Sequence, residues 1–253
     1  MRPNRLKNIW KSGQPVLNGW CQIPHSLSTE VMCHQGWDSV TVDLQHSGVS
    51  EAEAITMLQA ISTTDVVPMV RTPWNEPGVI MRLLDAGAYG IICPMINNRA
   101  DAEEFVSACK YPPTGIRSNG PYRALMYGGN DYQAHANDEI VTLAMIETQE
   151  AMANLKEIVD TPGLDGVYIG PSDLAMSHGR PPELDHFEGP IVPLIARVRE
   201  EAHAAGKVAG LHGASAKYAI RMINEGFNLV TPTSDIRLVA TGAAQMVTDI
   251  KAG

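Results

Sequence analysis

A junction between a helix and a buried strand recurs in this chain and constrains its fold more than any other feature. Four amphipathic stretches end near a glycine and lead into an apolar run: Gly36-WDSVTVDL, Gly87-AYGIICPMI, Gly163-LDGVYIG and Gly226-FNLVTPT. Glycine is favoured just after a helix because it adopts positive φ at little cost. Apolar runs without alternation are typical of strands buried on both faces, as in a parallel sheet.

The whole chain divides into eight β-then-α units, one of whose helices opens with the capping-box pair Ser50 and Glu53. The predicted strands lie at about 17–23, 39–45, 67–72, 90–96, 142–148, 166–171, 208–212 and 229–233. Eight units in 253 residues predict a single (β/α)8, or TIM, barrel domain over residues 1–253. An open doubly wound sheet is the alternative, but NGWCQIPHS after the first strand is not a glycine-rich phosphate turn. The irregular stretch 111–139 is expected to reach over the barrel mouth and to carry function.

Composition excludes several classes of protein. The net charge of −9 without a Lys/Arg block argues against nucleic acid and anionic membranes as partners, and no apolar run is long enough to span a bilayer. Four scattered cysteines without a CxxC motif read as free core thiols in a reducing compartment, so we expect a cytoplasmic protein. A charged fraction of only 19% indicates that other subunits cover part of the surface, as in a homo-oligomer.

Two carboxylates stand at the ends of consecutive predicted strands, where TIM barrels carry their active sites. Glu147 follows the fifth strand and Asp173 the sixth, so both point into one mouth. Like charges this close need a counterion, and a hard divalent cation is the natural one. The alternative is that each carboxylate merely caps its own helix.

Three further features at strand ends suit chemistry on a small anion. Arg71 follows an apolar strand and suits an anion or a polarised carbonyl, unless it pairs with a neighbouring carboxylate. His46 suits a general base, although His25, His178 and His212 compete for that role on position alone. The GPSD turn opens a helix with free N–H groups at Ser172 and Asp173, which favours a carboxylate or phosphate.

The chain resembles the HpcH/HpaI aldolase family, the metal-dependent class II pyruvate aldolases, and most of all its 4-hydroxy-2-oxoheptanedioate and hydroxy-ketoacid aldolase branch. The resemblance runs from about residue 5 to the end. It is carried by VDLQH (42–46), RTPWN (71–75), LLDAGAYGIICPMI (83–96), KYPPTGIRS (110–118), IET (146–148) and GLDGVYIGPSDLAMSHG (163–179).

This resemblance implies reversible aldol cleavage of 4-hydroxy-2-oxo acids to pyruvate and an aldehyde. Glu147 and Asp173 would bind Mg, Mn, Co or Zn, and Arg71 would polarise the keto oxygen. His46 would be the base, oriented by Asp85 of a neighbouring subunit. The backbone at Gly170, Ser172 and Asp173 would hold the pyruvate carboxylate. The family is usually hexameric, with C-terminal helices swapped within dimers.

Two residues depart from the family pattern and leave questions open. Gln45 stands where many members have Glu, and His212 stands where relatives often carry apolar residues, which affects the predicted aldehyde pocket. No lysine follows a strand, so a Schiff-base aldolase is disfavoured. Rival reactions on the same barrel are oxaloacetate decarboxylation of the macrophomate-synthase kind and citrate-lyase-like cleavage. A non-catalytic binding or assembly barrel is the remaining alternative.

Overall fold

Eight parallel strands close into a barrel in the computed structural model, which describes all 253 residues. Each strand pairs with the next one along the chain, and the last pairs with the first. The strands are β1 (Val16–Cys21), β2 (Ser39–Asp43), β3 (Val67–Arg71), β4 (Gly90–Cys93), β5 (Val141–Ile146), β6 (Gly166–Ile169), β7 (Val208–His212) and β8 (Leu229–Thr231). Each coincides within a few residues with a predicted strand, so the predicted (β/α)8 fold is confirmed.

Helices cover the outside of the barrel and connect its strands. They are α1 (Arg5–Lys11), α2 (Ser26–Cys33), α3 (Glu51–Ile61), α4 (Pro77–Asp85), α5 (Arg99–Cys109), α6 (Tyr122–Gly128), α7 (Tyr132–Glu139), α8 (Gln149–Ala153), α9 (Leu155–Val159), α10 (Pro171–Ser177), α11 (Val192–Ala204), α12 (Ala216–Asn224) and α13 (Asp235–Ala252). The expected capping box is present, since Ser50 N–H donates to Glu53 and Ser50 Oγ accepts from Ala52 N–H. The four junction glycines have φ between +81° and +104°, which explains why glycine recurs there.

Residues 111–139 differ from the expectation in both structure and position. They contain the short helices α6 and α7. Arg123 donates to the backbone carbonyls of Ala86 and Leu58, near the ends of α4 and α3, which lie at the amino-terminal end of the strands. The stretch joins the end of α5 to the start of β5, at the end of the barrel opposite the mouth. The prediction that it reaches over the mouth of its own chain is therefore wrong.

The apolar side chains form one core of 67 buried residues around and inside the barrel. All four cysteines are free and buried, as predicted. No helix combines the length and the apolar character needed to cross a membrane. The last helix, α13, differs from the others because only Asp235 is buried in it. It leaves apolar side chains exposed at Ile236, Leu238, Val239, Met246, Val247 and Ile250.

Candidate active site

A cavity of about 560 Å³ opens at the carboxyl ends of the strands. Six of the predicted site residues line it: His46, Arg71, Gly170, Ser172, Asp173 and His212. The barrel topology brings them together, because they end or follow four parallel strands, β2, β3, β6 and β7, and all strand ends meet at the mouth. No lysine lines the cavity, and Lys110 is engaged by backbone carbonyls of Asn137 and Ile140 beside the start of β5.

Arg71 is held at the cavity by a buried ion pair with Asp43. Its Nε donates to Asp43 Oδ1 at 2.8 Å and its Nη2 to Oδ2 at 2.6 Å. Strand register explains the pairing, because Arg71 on β3 stands opposite Asp43 on β2. The salt bridge considered as the alternative role for Arg71 is thus present, yet the third nitrogen, Nη1, has no protein partner. The guanidinium also lies over the Trp20 ring, with Cζ 4.9 Å from the ring centroid.

Asp43 organises the surroundings of Arg71, a role that sequence reasoning missed. The carboxylate is fully buried and also accepts from Trp20 Nε1, Gln22 Nε2 and the backbone N–H of Gln45. Burial by itself raises the pKa of Asp43, but the hydrogen bonds and charge of Arg71 outweigh it and hold that pKa below its ordinary value. Asp43 is therefore a carboxylate that fixes the guanidinium in one orientation.

Glu147 follows β5 and is only 2% exposed. Its Oε1 accepts from the backbone N–H of Met95 at 2.8 Å, and Met95 adopts the left-handed conformation with φ of +57°. Its Oε2 faces Gly170 so closely that a Cβ there would overlap it. Burial, together with the negative charge of Asp173, raises the pKa of Glu147 to about 7.

The pair formed by Glu147 and Asp173 fits a hard divalent cation. Neither carboxylate has an ion-pair partner in the chain, and Glu147 Oε2 accepts no hydrogen bond. A buried carboxyl group whose pKa is raised by burial and a like charge is stabilised by a cation at that oxygen. The chain has no cluster of three His, Cys, Asp or Glu that could hold a metal ion, so water and substrate would complete the coordination.

The turn from Gly170 to Asp173 presents backbone donors to the same cavity. Gly170 is the N-cap of α10 and Pro171 occupies its first turn, and no side chain caps the helix. The N–H groups of Ser172 and Asp173 therefore remain free for an anion, as the sequence predicts. Ser172 Oγ donates to the carbonyl of Glu183, which lines the same cavity.

Two of the four candidate histidines line the cavity. The backbone of His46 is fixed, since its N–H donates to Asp43 and its carbonyl accepts from Gln22, while its imidazole has no protein partner. The adjacent Gln45 does not line the cavity. The ring of His25 caps α2 through Leu27 N–H, and the ring of His178 bonds the carbonyl of Leu174.

His212 ends β7, and its Nδ1 lies 3.0 Å from the hydroxyl of Tyr168. Burial, with the nearby charge of Arg71, lowers the pKa of His212 to about 3, so this ring is neutral.

The position of Asp85 is different, because this carboxylate ends α4 and accepts from Arg117 Nη2 at 2.8 Å. It does not line the cavity of its own chain.

A family model described as HpcH/HpaI aldolase/citrate lyase matches residues 20–240. The chain belongs to the HpcH/HpaI aldolase/citrate lyase family. Among its relatives, the hydroxypyruvate/pyruvate aldolase of Rhizorhabdus wittichii is 45% identical over 98% of this chain and 99% of that protein. The 4-hydroxy-2-oxo-heptane-1,7-dioate aldolase of Klebsiella pneumoniae is 37% identical over 95% of this chain and 91% of that protein.

Solved structures of the family have the same fold. The HpcH/HpaI aldolase/citrate lyase family protein from Burkholderia cenocepacia superposes with a TM-score of 0.91 at 26% identity, covering 98% of this chain and 99% of that one. The resemblance inferred from the sequence motifs is thus confirmed. The predicted class, a lyase of the aldolase type, agrees with the names of these relatives.

Proposed function

We propose that this HpcH/HpaI family enzyme catalyses the reversible aldol cleavage of 4-hydroxy-2-oxo acids to an aldehyde and pyruvate or a close analogue, with a divalent cation as cofactor. One observation carries the proposal. Two carboxylates without counterions lie close to Arg71: Asp173 lines the cavity, and Glu147 Oε2 lies directly behind Gly170 of the cavity wall. Arg71 itself has a free Nη1, and its other two nitrogens are fixed by Asp43.

Each part of the cavity has a role in this reaction. Glu147 and Asp173 would hold the cation, Mg, Mn, Co or Zn, which when bound supplies a Lewis acid for the oxygens of the keto acid. The free N–H groups of Ser172 and Asp173 bind the carboxylate of that acid. Arg71 Nη1 donates to the ketone oxygen and stabilises the negative charge that develops there.

His46 moves the proton. In cleavage it removes the hydrogen of the 4-hydroxyl, the C3–C4 bond breaks, the aldehyde leaves, and the electron pair becomes the enolate of the keto acid. In synthesis the same histidine removes a proton from C3. Its ring is free and lines the cavity, as a base requires.

The assembly is a homo-oligomer, a hexamer in this proposal, with sites at subunit interfaces. Asp85, which is outside the cavity of its own chain, would reach His46 of a neighbouring subunit. The exposed apolar side chains of α13 support such an assembly, since a contiguous apolar face is typical of an interface. An exchange of α13 between subunits would cover that face.

Two substitutions in the loop that follows β2 test the base. His46→Ala should depress aldol cleavage and the exchange of the pyruvate methyl protons together, because both need the same proton transfer. Gln45→Glu should leave the reaction running and move its pH optimum upward, because a neighbouring carboxylate raises the pKa of a histidine. Exchange at the wild-type rate in His46→Ala would show that the base has been misassigned.

A further inference from the structure

Met95 is the only residue other than glycine that has a positive φ, at +57°. It lies in the loop that follows β4, between Pro94 and Ile96, and its side chain is partly buried. A long side chain in the left-handed region carries a steric cost, and such a residue persists only where its surroundings hold it. The chain therefore keeps this conformation against the intrinsic preference of methionine.

The left-handed turn directs the backbone N–H of Met95 at Glu147, with 2.8 Å between that nitrogen and Oε1. Strands β4 and β5 are neighbours in the barrel, so the loop after the first lies beside the carboxylate that follows the second. Oε1 thereby has a fixed donor, whereas Oε2 accepts no hydrogen bond and lies against Gly170. The backbone thus gives the two oxygens of one buried carboxylate different surroundings.

Asn97 ties this loop to the residue that precedes α8. Its Nδ2 donates to the carbonyl of Met95 at 3.1 Å, and its Oδ1 accepts from the hydroxyl of Thr148. The orientation of the amide follows from its partners, because a carbonyl can only accept and must face the NH2 group. The N–H of Asn97 donates to Asp101, and its carbonyl accepts from Asn154 Nδ2. Every polar group of Asn97 is therefore engaged in holding the left-handed turn.

A carboxylate with one oxygen committed to a backbone donor offers a cation its other oxygen. Ca2+ takes about six to eight oxygen ligands and accommodates carboxylates that chelate it through both oxygens. Mg2+ and similar small cations need near-octahedral geometry and shorter bonds. Holding the carboxylate by one oxygen is thus a way to discriminate between cations of the same charge.

We propose that Asn97 and the left-handed turn at Met95 restrict Glu147 to binding the cation through Oε2, so that the site selects small cations such as Mn2+ and Mg2+ over Ca2+. This inference rests on the part of the proposed function that assigns a cation to Glu147 and Asp173. Asn97 and Met95 are positioning residues, because they act through Glu147 and contact neither substrate nor cation.

Binding of the cations alone, without any substrate, tests this role. The probes are Mn2+, whose free fraction is measured by electron paramagnetic resonance, and Ca2+, whose affinity follows from its displacement of Mn2+. In Met95→Val, whose β-branched side chain disfavours positive φ, the ratio of Ca2+ to Mn2+ affinity should rise about tenfold. Met95→Gly, which adopts positive φ freely, should keep the wild-type ratio.

A second position makes the test independent of one variant. Asn97→Ala removes the hydrogen bond to the carbonyl of Met95 and should raise the same ratio, also about tenfold. Asn8→Ala is its matched control, since it removes an exposed asparagine of α1 outside the cavity, and should leave both affinities at their wild-type values. If Met95→Val does not fold, Asn97→Ala carries the test.

A merely structural role would lower both affinities together, so an unchanged ratio in Met95→Val and Asn97→Ala would overturn the inference. Equal ratios in Met95→Gly and Met95→Val would overturn it as well. If the wild type bound no Mn2+, or if Glu147→Gln bound it equally well, the cation site and the inference would fall together. Mn2+ binding with the expected ratios but without aldol activity would refute the proposed reaction alone.

Discussion

Substituting Asp43 by asparagine removes the counterion of Arg71 while keeping the shape of the side chain. Asp43 accepts six hydrogen bonds, two from Arg71 and one each from Trp20 Nε1, Gln22 Nε2 and the backbone N–H groups of Gln45 and His46. Oδ2 receives three of them, from side-chain donors. An amide NH2 group at that position is itself a donor and cannot accept the three hydrogen bonds, so Arg71 would move or turn.

The expected size of the effect follows from burial. Breaking a buried ion pair by neutralising one partner costs about 3–5 kcal/mol, and the lower end applies because the amide retains one oxygen. For a domain of this length about 3 kcal/mol corresponds to a fall in Tm of roughly 6–12 °C. Loss of an oriented cation at the ketone oxygen should lower kcat on the order of 100-fold.

A double-mutant cycle on cleavage activity tests whether Asp43 acts through Arg71. Asp43→Asn and Arg71→Ala should each lower kcat strongly, and the double variant should be no slower than Arg71→Ala, because the positioned group is already gone. Metal affinity should stay near the wild-type value in all three, since Glu147 and Asp173 are untouched. Wild-type kcat in Asp43→Asn, or fully additive losses, would refute the reasoning.

Three further predictions concern the carboxylate pair and the assembly. Gly170→Ala should weaken metal binding at least about tenfold in calorimetry, because the new Cβ would overlap Glu147 Oε2. Gly242→Ala is the control, since a Cβ at that position on α13 contacts nothing, and it should leave the metal affinity unchanged. Equal affinities in the two variants would contradict this prediction. In metal-free protein, Glu147 has a higher pKa in the folded state than in the unfolded state, so the stability that it contributes is present below the ordinary carboxyl pKa and is lost as the pH rises through about 7. Urea unfolding should show this loss of stability in the wild type and not in Glu147→Gln. Light scattering should find an oligomer at assay concentration, and an active monomer would end the interface proposal.

The fold was predictable because local signals repeat. Glycine after a helix, followed by an uninterrupted apolar run, identifies a buried parallel strand without knowledge of its neighbours, and Gly36, Gly87, Gly163 and Gly226 all have the positive φ that this requires. The strand-end positions of Glu147, Asp173 and Arg71 followed from the same pattern. Eight units of one kind leave little choice of architecture.

The remaining features depend on register and on chain direction. The pairing of Asp43 with Arg71 needs the alignment of β2 against β3, which no local pattern supplies. The position of residues 111–139 was deducible, because a segment after α5 returns to the start of β5, at the end of the barrel opposite the mouth. The tie from His212 through Tyr168 to Thr231 joins three strands and needed the closed barrel.

The most direct test of the account is the metal dependence of aldol activity at the carboxylate pair. Purified protein is treated with EDTA, its metal content is verified, and pyruvate or hydroxypyruvate is offered with a panel of aldehydes before and after Mn2+ or Mg2+ is added. Chelation should abolish product formation and the added cation should restore it, whereas activity of Glu147→Gln should not be restored. Full activity in a verified metal-free sample would contradict this expectation.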